Sequence, residues 1–111
     1  MICVIFEVIP KEERKNEYFA IASELKVTLA EMEGFISIER FQSLADQNKF
    51  LSLSFWKDEE SVKAWREQTF HRQAQVKGRN QIFDNYRLRV ATVLRDYGMK
   101  DRLQAPKTSV D

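Results

Sequence analysis

The first strand-like segment constrains the fold more than any other feature of the sequence. Residues 2–9, ICVIFEVI, are β-branched and aromatic apart from Cys3 and a single charged residue, Glu7. Successive side chains of a strand point to opposite faces of a sheet, so a continuous apolar run is typical of a strand buried on both faces. The segment therefore predicts a central strand whose two faces are both covered.

Helical spacing replaces the strand pattern after Pro10. From about Glu12 to Glu33 the apolar side chains recur every three or four residues and predict one amphipathic helix. Gly34 follows, and glycine is the residue type expected just past the end of a helix. The apolar stripe of this helix consists of Tyr18, Ala22, Leu25, Leu29 and Met32.

Three further segments alternate apolar and polar side chains, which is typical of half-buried strands. The first two are residues 35–43 and 49–56, and the short sequence LADQN between them predicts a turn. The third is residues 86–95, in which arginines alternate with Leu and Val. These three segments predict strands that each have one face toward a core.

A second helical region lies between the last two of these strands. Asp58 is expected to cap its first helix, with Val62 and Trp65 on the buried side. A second helical piece is predicted from about Thr69 to Phe83. The resulting order, β-α-β-β-α-β, is the α+β ferredoxin-like arrangement: an antiparallel four-stranded sheet with helices on one side and its first and third strands at the centre.

The helices of such a fold can cover only one face of the sheet. Cys3, Ile5 and Ile9 would then leave apolar surface in water, which soluble monomers rarely tolerate. We therefore expect a homodimer in which two copies pack sheet to sheet about a two-fold axis. An alternative is that the polar C-terminal tail, residues 99–111, folds over that face; otherwise the tail is expected to be flexible or to wrap the partner subunit. The domain itself is predicted to span residues 1–98.

Composition excludes several classes of function. Eighteen Lys and Arg against 17 Asp and Glu leave a net charge of +1, which argues against a nucleic-acid binder. One Cys and one His cannot build a structural zinc site or a disulfide framework. No apolar run resembles a secretory signal or a membrane span, so a cytoplasmic location is expected. No phosphate-binding glycine loop or dinucleotide fingerprint indicates a flavin or nicotinamide.

Several segments together resemble the antibiotic biosynthesis monooxygenase (ABM) family. They are GFISIERFQS at 34–43, LSLSFWKDEESVKAWRE at 51–67, HRQAQVKGR at 71–79 and FDNYRLRV at 83–90. The resemblance extends from about residue 1 to residue 98 and implies a dimeric α+β barrel. It also implies one of two chemistries: cofactor-independent oxygenation of quinols or polyketide aromatics, or the binding and degradation of haem.

The resemblance implies three catalytic candidates. Trp65 matches a tryptophan that lines the active cleft of relatives, although a core tryptophan would also face inward. His71 is a candidate general base that would take a phenolic proton and leave an anion able to pass an electron to oxygen; a structural or exposed histidine is the alternative. Glu7 lies near a position where relatives carry asparagine. It could serve as a polar anchor or could simply pair with a basic group such as Arg40.

Haem chemistry is disfavoured by one residue, because the resemblance places Gln75 where the haem-degrading branch has its histidine ligand. The leading hypothesis is therefore a monooxygenase that acts on a phenolic or quinol-like aromatic compound with molecular oxygen and without metal or organic cofactor. A non-catalytic module that binds a small hydrophobic ligand and a haem-binding or haem-degrading protein are the alternatives. The candidate substrate-binding rings, most of which are expected to be plain core, are Phe41, Phe55, Trp56, Phe70 and Phe83.

Overall fold

A computed structural model describes the backbone of residues 1–75 and 82–107 and the side chains of residues 1–68 and 82–107. In that part of the chain the strands are β1 (Ile2–Pro10), β2 (Phe35–Gln42), β3 (Phe50–Trp56) and β4 (Phe83–Thr92). The helices are α1 (Lys15–Ala30) and α2 (Glu59–Gln75), and a 3₁₀ turn at Glu12–Arg14 precedes α1. The strand order is β2-β3-β1-β4, with every neighbouring pair antiparallel. The predicted ferredoxin-like fold, with β1 and β3 at the centre, is confirmed.

The helices pack on one face of the sheet, which we call the inner face. Two groups of buried residues hold them there. The first consists of Val4, Leu29, Trp56 and Val62, and the second of Val8, Tyr18 and Ile82. Among the described side chains the buried core therefore falls into two groups, one at the Leu29 end of α1 and the other at its Tyr18 end.

The central strand β3 has an unusual polarity. Its buried inner-face residues include two serines, Ser52 and Ser54, whereas Leu51, Leu53 and Phe55 alternate onto the opposite, outer face. The three apolar side chains are only partly buried in a single chain. The small serines leave room above the middle of the sheet that larger side chains would fill.

A compact junction fixes the start of α2. The Asp58 carboxylate accepts hydrogen bonds from the Ser61 backbone N–H at 2.9 Å and the Ser61 hydroxyl at 2.7 Å, which confirms Asp58 as the N-cap and lowers its pKa. Gly34, at φ +83°, accepts a 2.7 Å hydrogen bond from the Lys57 N–H through its carbonyl. The end of α1 and the start of α2 are thereby tied to each other.

The structure corrects three predicted boundaries. The first helix ends at Ala30, because residues 31–34 form the turn into β2. The helical piece predicted up to Phe83 is wrong at its end, since Phe83 pairs with Pro10 across a bulge and begins β4. Strand β4 consequently covers 83–92 instead of 86–95, and it ends where Thr92 pairs with Ile2 at the start of β1.

The segment after β4 folds back on itself. The Asp96 N–H donates to the side-chain oxygen of Gln104 at 2.8 Å, and the Arg102 guanidinium lies 5.2 Å from the centre of the Tyr97 ring. These contacts cross the predicted boundary at Gly98. The division into a domain and a tail stays a prediction. Neither α1 nor α2, as far as they are described, is long and apolar enough to cross a membrane.

Replacing Gly34 with alanine tests the junction between the helices. We expect Gly34→Ala to destabilise the protein by about 1–3 kcal/mol, because a non-glycine residue is strained at positive φ. Its Cβ would also overlap the Ser61 hydroxyl. Urea unfolding followed by circular dichroism measures the change. Gly98→Ala is the matched control, since no atom lies within 4 Å of the added Cβ; equal midpoints for the two variants would contradict this account.

Candidate functional site

A cavity of about 220 Å³ lies between the inner face of the sheet and the helices. Residues of both buried groups line it, so it occupies the gap between the two halves of the core. Its floor includes Ser52 and Ser54 of β3. The remaining lining is mostly apolar and consists of Val4, Phe6, Tyr18, Ile21, Ala22, Glu24, Leu25, Leu29, Ile38, Arg40, Trp65, Ile82, Phe83, Tyr86 and Leu88.

Aromatic rings form the β4 end of this cavity. Phe6 lies 6.1 Å from Phe83 and 5.7 Å from Tyr86, and Tyr18 meets Phe83 edge to face at 5.9 Å, each measured between ring centres. Tyr86 and Leu88 each remain 47% exposed. The exposed fraction of these two lining residues indicates that the cavity opens to solvent along β4.

Trp65 of α2 forms another part of the wall. Its ring lies 5.5 Å from that of Trp56, at an interplanar angle of 32°. Trp56 is fully buried and donates its indole N–H to the Ser54 hydroxyl at 2.9 Å. The indole nitrogen of Trp65, by contrast, is buried and has no hydrogen-bond partner among the described residues. Trp65 thus lines the cavity with an N–H that is a candidate donor to a ligand oxygen.

Arg40 and Tyr18 make the polar part of the lining. Arg40 is half-buried, and its Nε atom is buried without a hydrogen-bond partner in the part of the chain that the structure describes. Burial raises the pKa of Tyr18 above its usual value of 10.0, and the neighbouring Arg40 guanidinium offsets only part of that rise. The Tyr18 phenol is therefore protonated at neutral pH and can donate a hydrogen bond into the cavity.

Glu7 lies on the outer face of the sheet, on the opposite side from the cavity. Its carboxylate pairs with the Lys49 ammonium at 3.3 Å and the Arg89 guanidinium at 3.2 Å. The hydrogen bond from Lys49, with the charges of Lys49 and Arg89, lowers the pKa of Glu7, so the group is ionised at neutral pH. The structure therefore does not bring Glu7 to the site of Trp65. The Glu7 carboxylate pairs with basic groups, as the alternative expected, but these groups are Lys49 and Arg89 and not Arg40.

The predicted substrate-binding rings are divided among different surroundings. Phe83 lines the cavity, whereas Trp56 is buried beneath Trp65 and has no exposed surface. Phe41 and Phe55 alternate onto the outer face, away from the cavity. His71 and Phe70 lie within α2, and their side chains, like that of Gln75, are outside the described residues.

The sequence reasoning missed the most useful polar group of the cavity. Arg40 is two residues after Ile38 on β2, so strand alternation places both on the inner face. This strand alternation was the feature of the sequence that could have identified Arg40. Phe6, Tyr18 and Tyr86 were also missed, because their positions are equally compatible with an ordinary core. Within the described side chains, no three of His, Cys, Asp and Glu come together as a metal site would require.

Comparison with known proteins agrees with this architecture. The sequence profile of the family described as antibiotic biosynthesis monooxygenase matches residues 1–77, which is more than half of the chain. The chain belongs to the antibiotic biosynthesis monooxygenase family. The matched ABM region contains β1 to β3 and the whole of α2, including Trp65.

Three ABM-like proteins illustrate the range of the resemblance. Jasmonate monooxygenase ABM from Pyricularia oryzae is 43% identical over 93 residues, which are 84% of this chain but 43% of that protein, so this chain spans less than half of its length. A variant of SnoaB, a cofactor-independent oxygenase from Streptomyces nogalater, superposes with a TM-score of 0.69 at 11% identity, covering 86% of this chain and 94% of that one. A variant of MhuD with two manganese protoporphyrins per active site superposes with a TM-score of 0.71 at 13% identity, covering 88% and 99%.

The ionisation of Tyr18 provides a direct test of the ABM cavity. We expect the Tyr18 phenol to ionise at a higher pH than free tyrosine when absorbance at 295 nm is followed through alkaline pH, because burial raises the Tyr18 pKa. The folded state holds this proton more tightly than the unfolded state, so its stability declines as pH rises above about 10. Tyr18→Phe should remove this late component of the titration. An alkaline titration that is the same in Tyr18→Phe and the unmodified protein would contradict the assigned burial.

Proposed function

We propose that this protein is a monooxygenase that binds a small ring compound in the cavity between the helices and the sheet. The observation that carries the proposal is the cavity itself, whose mostly apolar lining includes Trp65, a residue with an indole N–H that has no partner among the described residues. Its volume of about 220 Å³ is below the ~300–1,000 Å³ usual for drug-sized ligands. This suits a substrate of one or two rings. Membership of the ABM family supports the oxygenase assignment.

The reaction that fits these residues oxidises a phenolic or quinol-like carbon acid with molecular oxygen. In a phenol whose keto tautomer carries a ring CH₂ group, as in an anthrone, R₂CH₂ and O₂ give R₂C=O and H₂O. One oxygen atom enters the product, the other leaves as water with the two hydrogens of the CH₂ group, and all four electrons that reduce O₂ come from the substrate. This balance requires no organic cofactor or metal. His71 takes the phenolic proton, which leaves an electron-rich anion that can reduce oxygen. Trp65 stacks on the ring and donates its N–H to a substrate oxygen. A jasmonate, the compound class in the name of the Pyricularia oryzae relative, is a second candidate substrate.

Oxygen uptake with a panel of anthrones, quinols and jasmonate tests this function. Trp65→Phe keeps a ring but loses the N–H, and we expect kcat/KM to fall about tenfold because one hydrogen bond to the substrate is lost. His71→Ala should lower kcat by about 100-fold or more, the usual contribution of a general base. Glu7→Gln is the matched control on the other face of the sheet and should leave turnover unchanged.

The alternatives make different predictions in the same assay. Ligand binding without oxygen uptake across the whole panel would favour a non-catalytic binding module. A stoichiometric Soret band on haem titration would favour a haem-handling protein. Equal activity of His71→Ala and the unmodified protein would refute the proposed proton transfer.

The outer face supports a second part of the proposal, a homodimer formed by two sheets packed together. Leu51, Leu53 and Phe55 of β3 lie beside Cys3 and Ile5 of β1 on this face, and a single chain leaves all five partly exposed. A second copy would cover this apolar surface and complete a dimeric α+β barrel. A cytoplasmic location also stays a prediction.

Sedimentation equilibrium tests the dimer. We expect the protein to have twice the mass of the 13.2 kDa chain, and Leu53→Glu to shift it toward the monomer because a charge would be buried in the contact. Leu44→Glu is the matched control, since Leu44 is fully exposed in the turn between β2 and β3. A monomeric unmodified protein, or dissociation by both variants alike, would refute the sheet-to-sheet dimer.

A further inference from the structure

Arg40 carries a positive charge into the cavity without an obvious counterion. None of the ion pairs between described side chains includes Arg40, and its Nε atom is buried without a partner. Residues 69–81, whose side chains are not described, contain no Asp or Glu, so they offer no side-chain carboxylate. Asp111 follows Lys107, the last residue whose structure is described.

A half-buried guanidinium with an enclosed Nε is costly without an anion, because arginine stays charged at every accessible pH and an enclosed donor loses its water. Tyr18 relieves this cost in part, since its phenol lies beside the Arg40 guanidinium. A neutral phenol cannot balance a full charge. The position is therefore expensive for the empty protein and becomes favourable when an anion enters.

The register across the sheet gives the cavity a direction. Arg40 of β2 pairs with Ser52 of β3, which pairs with Phe6 of β1, which pairs with Leu88 of β4. All four face the cavity. The row thus changes from charged and polar at the β2 end to apolar and aromatic at the β4 end, over the width of the sheet.

We propose that the Arg40 end of the cavity binds a carboxylate of the substrate, so that the substrate is a small ring compound carrying an acid group. That the ligand is a substrate rests on the proposed function, whereas its acid group is inferred from the position of Arg40 in the cavity. The planar guanidinium binds a carboxylate through two parallel hydrogen bonds, and the Tyr18 and Ser52 hydroxyls lie on the same lining to donate further ones. The ring then lies toward Phe6, Phe83 and Tyr86.

One acidic residue on the lining, Glu24, has to be reconciled with this proposal. Glu24 is exposed on α1 and forms no ion pair with a described side chain. Water screens an exposed carboxylate far more effectively than a buried one. Glu24 therefore lies at the solvent side of the cavity and does not neutralise Arg40.

Matched acids and esters test the proposal without reference to turnover. Isothermal titration calorimetry at pH 7.5 would compare 2,5-dihydroxybenzoate with its methyl ester and 2-naphthoate with its methyl ester. We expect at least one acid to bind the unmodified protein about 10- to 100-fold more tightly than its ester, the difference that a charge-assisted hydrogen bond makes. Arg40→Gln should abolish this preference by weakening acid binding alone. Arg40→Lys, which keeps the charge but not the planar fork, should retain part of it.

Arg95→Gln is the matched control, because it removes the same charge from an exposed position outside the lining; the acid preference should persist. Failure of all four probes to bind, equal binding of acid and ester, or an unchanged preference in Arg40→Gln would overturn the proposal. If Arg40→Gln does not fold, the unmodified protein and Arg40→Lys still decide the matter. If the acids bind but no oxygen is taken up, the oxygenase function is refuted and the carboxylate site stands. If oxygen is taken up with equal kinetics for an acid and its ester, the carboxylate site is refuted and the oxygenase function stands.

Discussion

The inverted polarity of β3 is the constraint on which the other features depend. A central strand normally presents its bulk to the helices, but here Ser52 and Ser54 face the core while Leu51, Leu53 and Phe55 face away from it. Two small hydroxyl side chains leave space above the sheet, and the displaced apolar bulk gathers on its other face. The cavity and the apolar outer face are therefore two consequences of the same seven-residue strand.

A cavity in a domain this small needs rigid walls, and the two halves of the core supply them. On one side, Trp56 is locked by its hydrogen bond to Ser54 and supports the ring of Trp65. The position of Trp65 is fixed along the chain as well, because Asp58 and Ser61 define the first turn of α2. On the other side, Tyr18 and Phe83 pack edge to face. The gap between the two groups of buried residues is thus supported by packing at both ends.

The fold was predictable from the sequence because the spacing of apolar residues reflects which face of a helix or strand is buried. The helices and strands of this chain follow that spacing. The apolar run of β1 identified a central strand, and Asp58 marked the start of α2 through its local chemistry. Gly34 indicated the turn after α1 but placed the end of that helix too late, since α1 ends at Ala30. Boundaries near Phe83 were wrong because a bulge at Pro10 extends β4, and a pairing partner distant in the sequence leaves no local signal. The cavity was only partly predictable: Trp65 and Phe83 were identified, but Phe41 and Phe55 are as apolar as any core residue and differ only in the face on which they lie.

Glu7 and Arg40 show most directly why charges cannot be assigned to a site from the sequence alone. Both lie on strands of the same sheet, and pairing them was a reasonable expectation, yet strand parity places them on opposite faces. On the outer face, Glu7 finds two cations, Lys49 and Arg89, so that charge is satisfied within the chain. On the inner face, Arg40 finds a phenol and a serine. Among the described residues, the charge of Glu7 on the outer face is neutralised within the chain, whereas the half-buried Arg40 on the inner face forms no ion pair. The register, and not the composition, makes that separation.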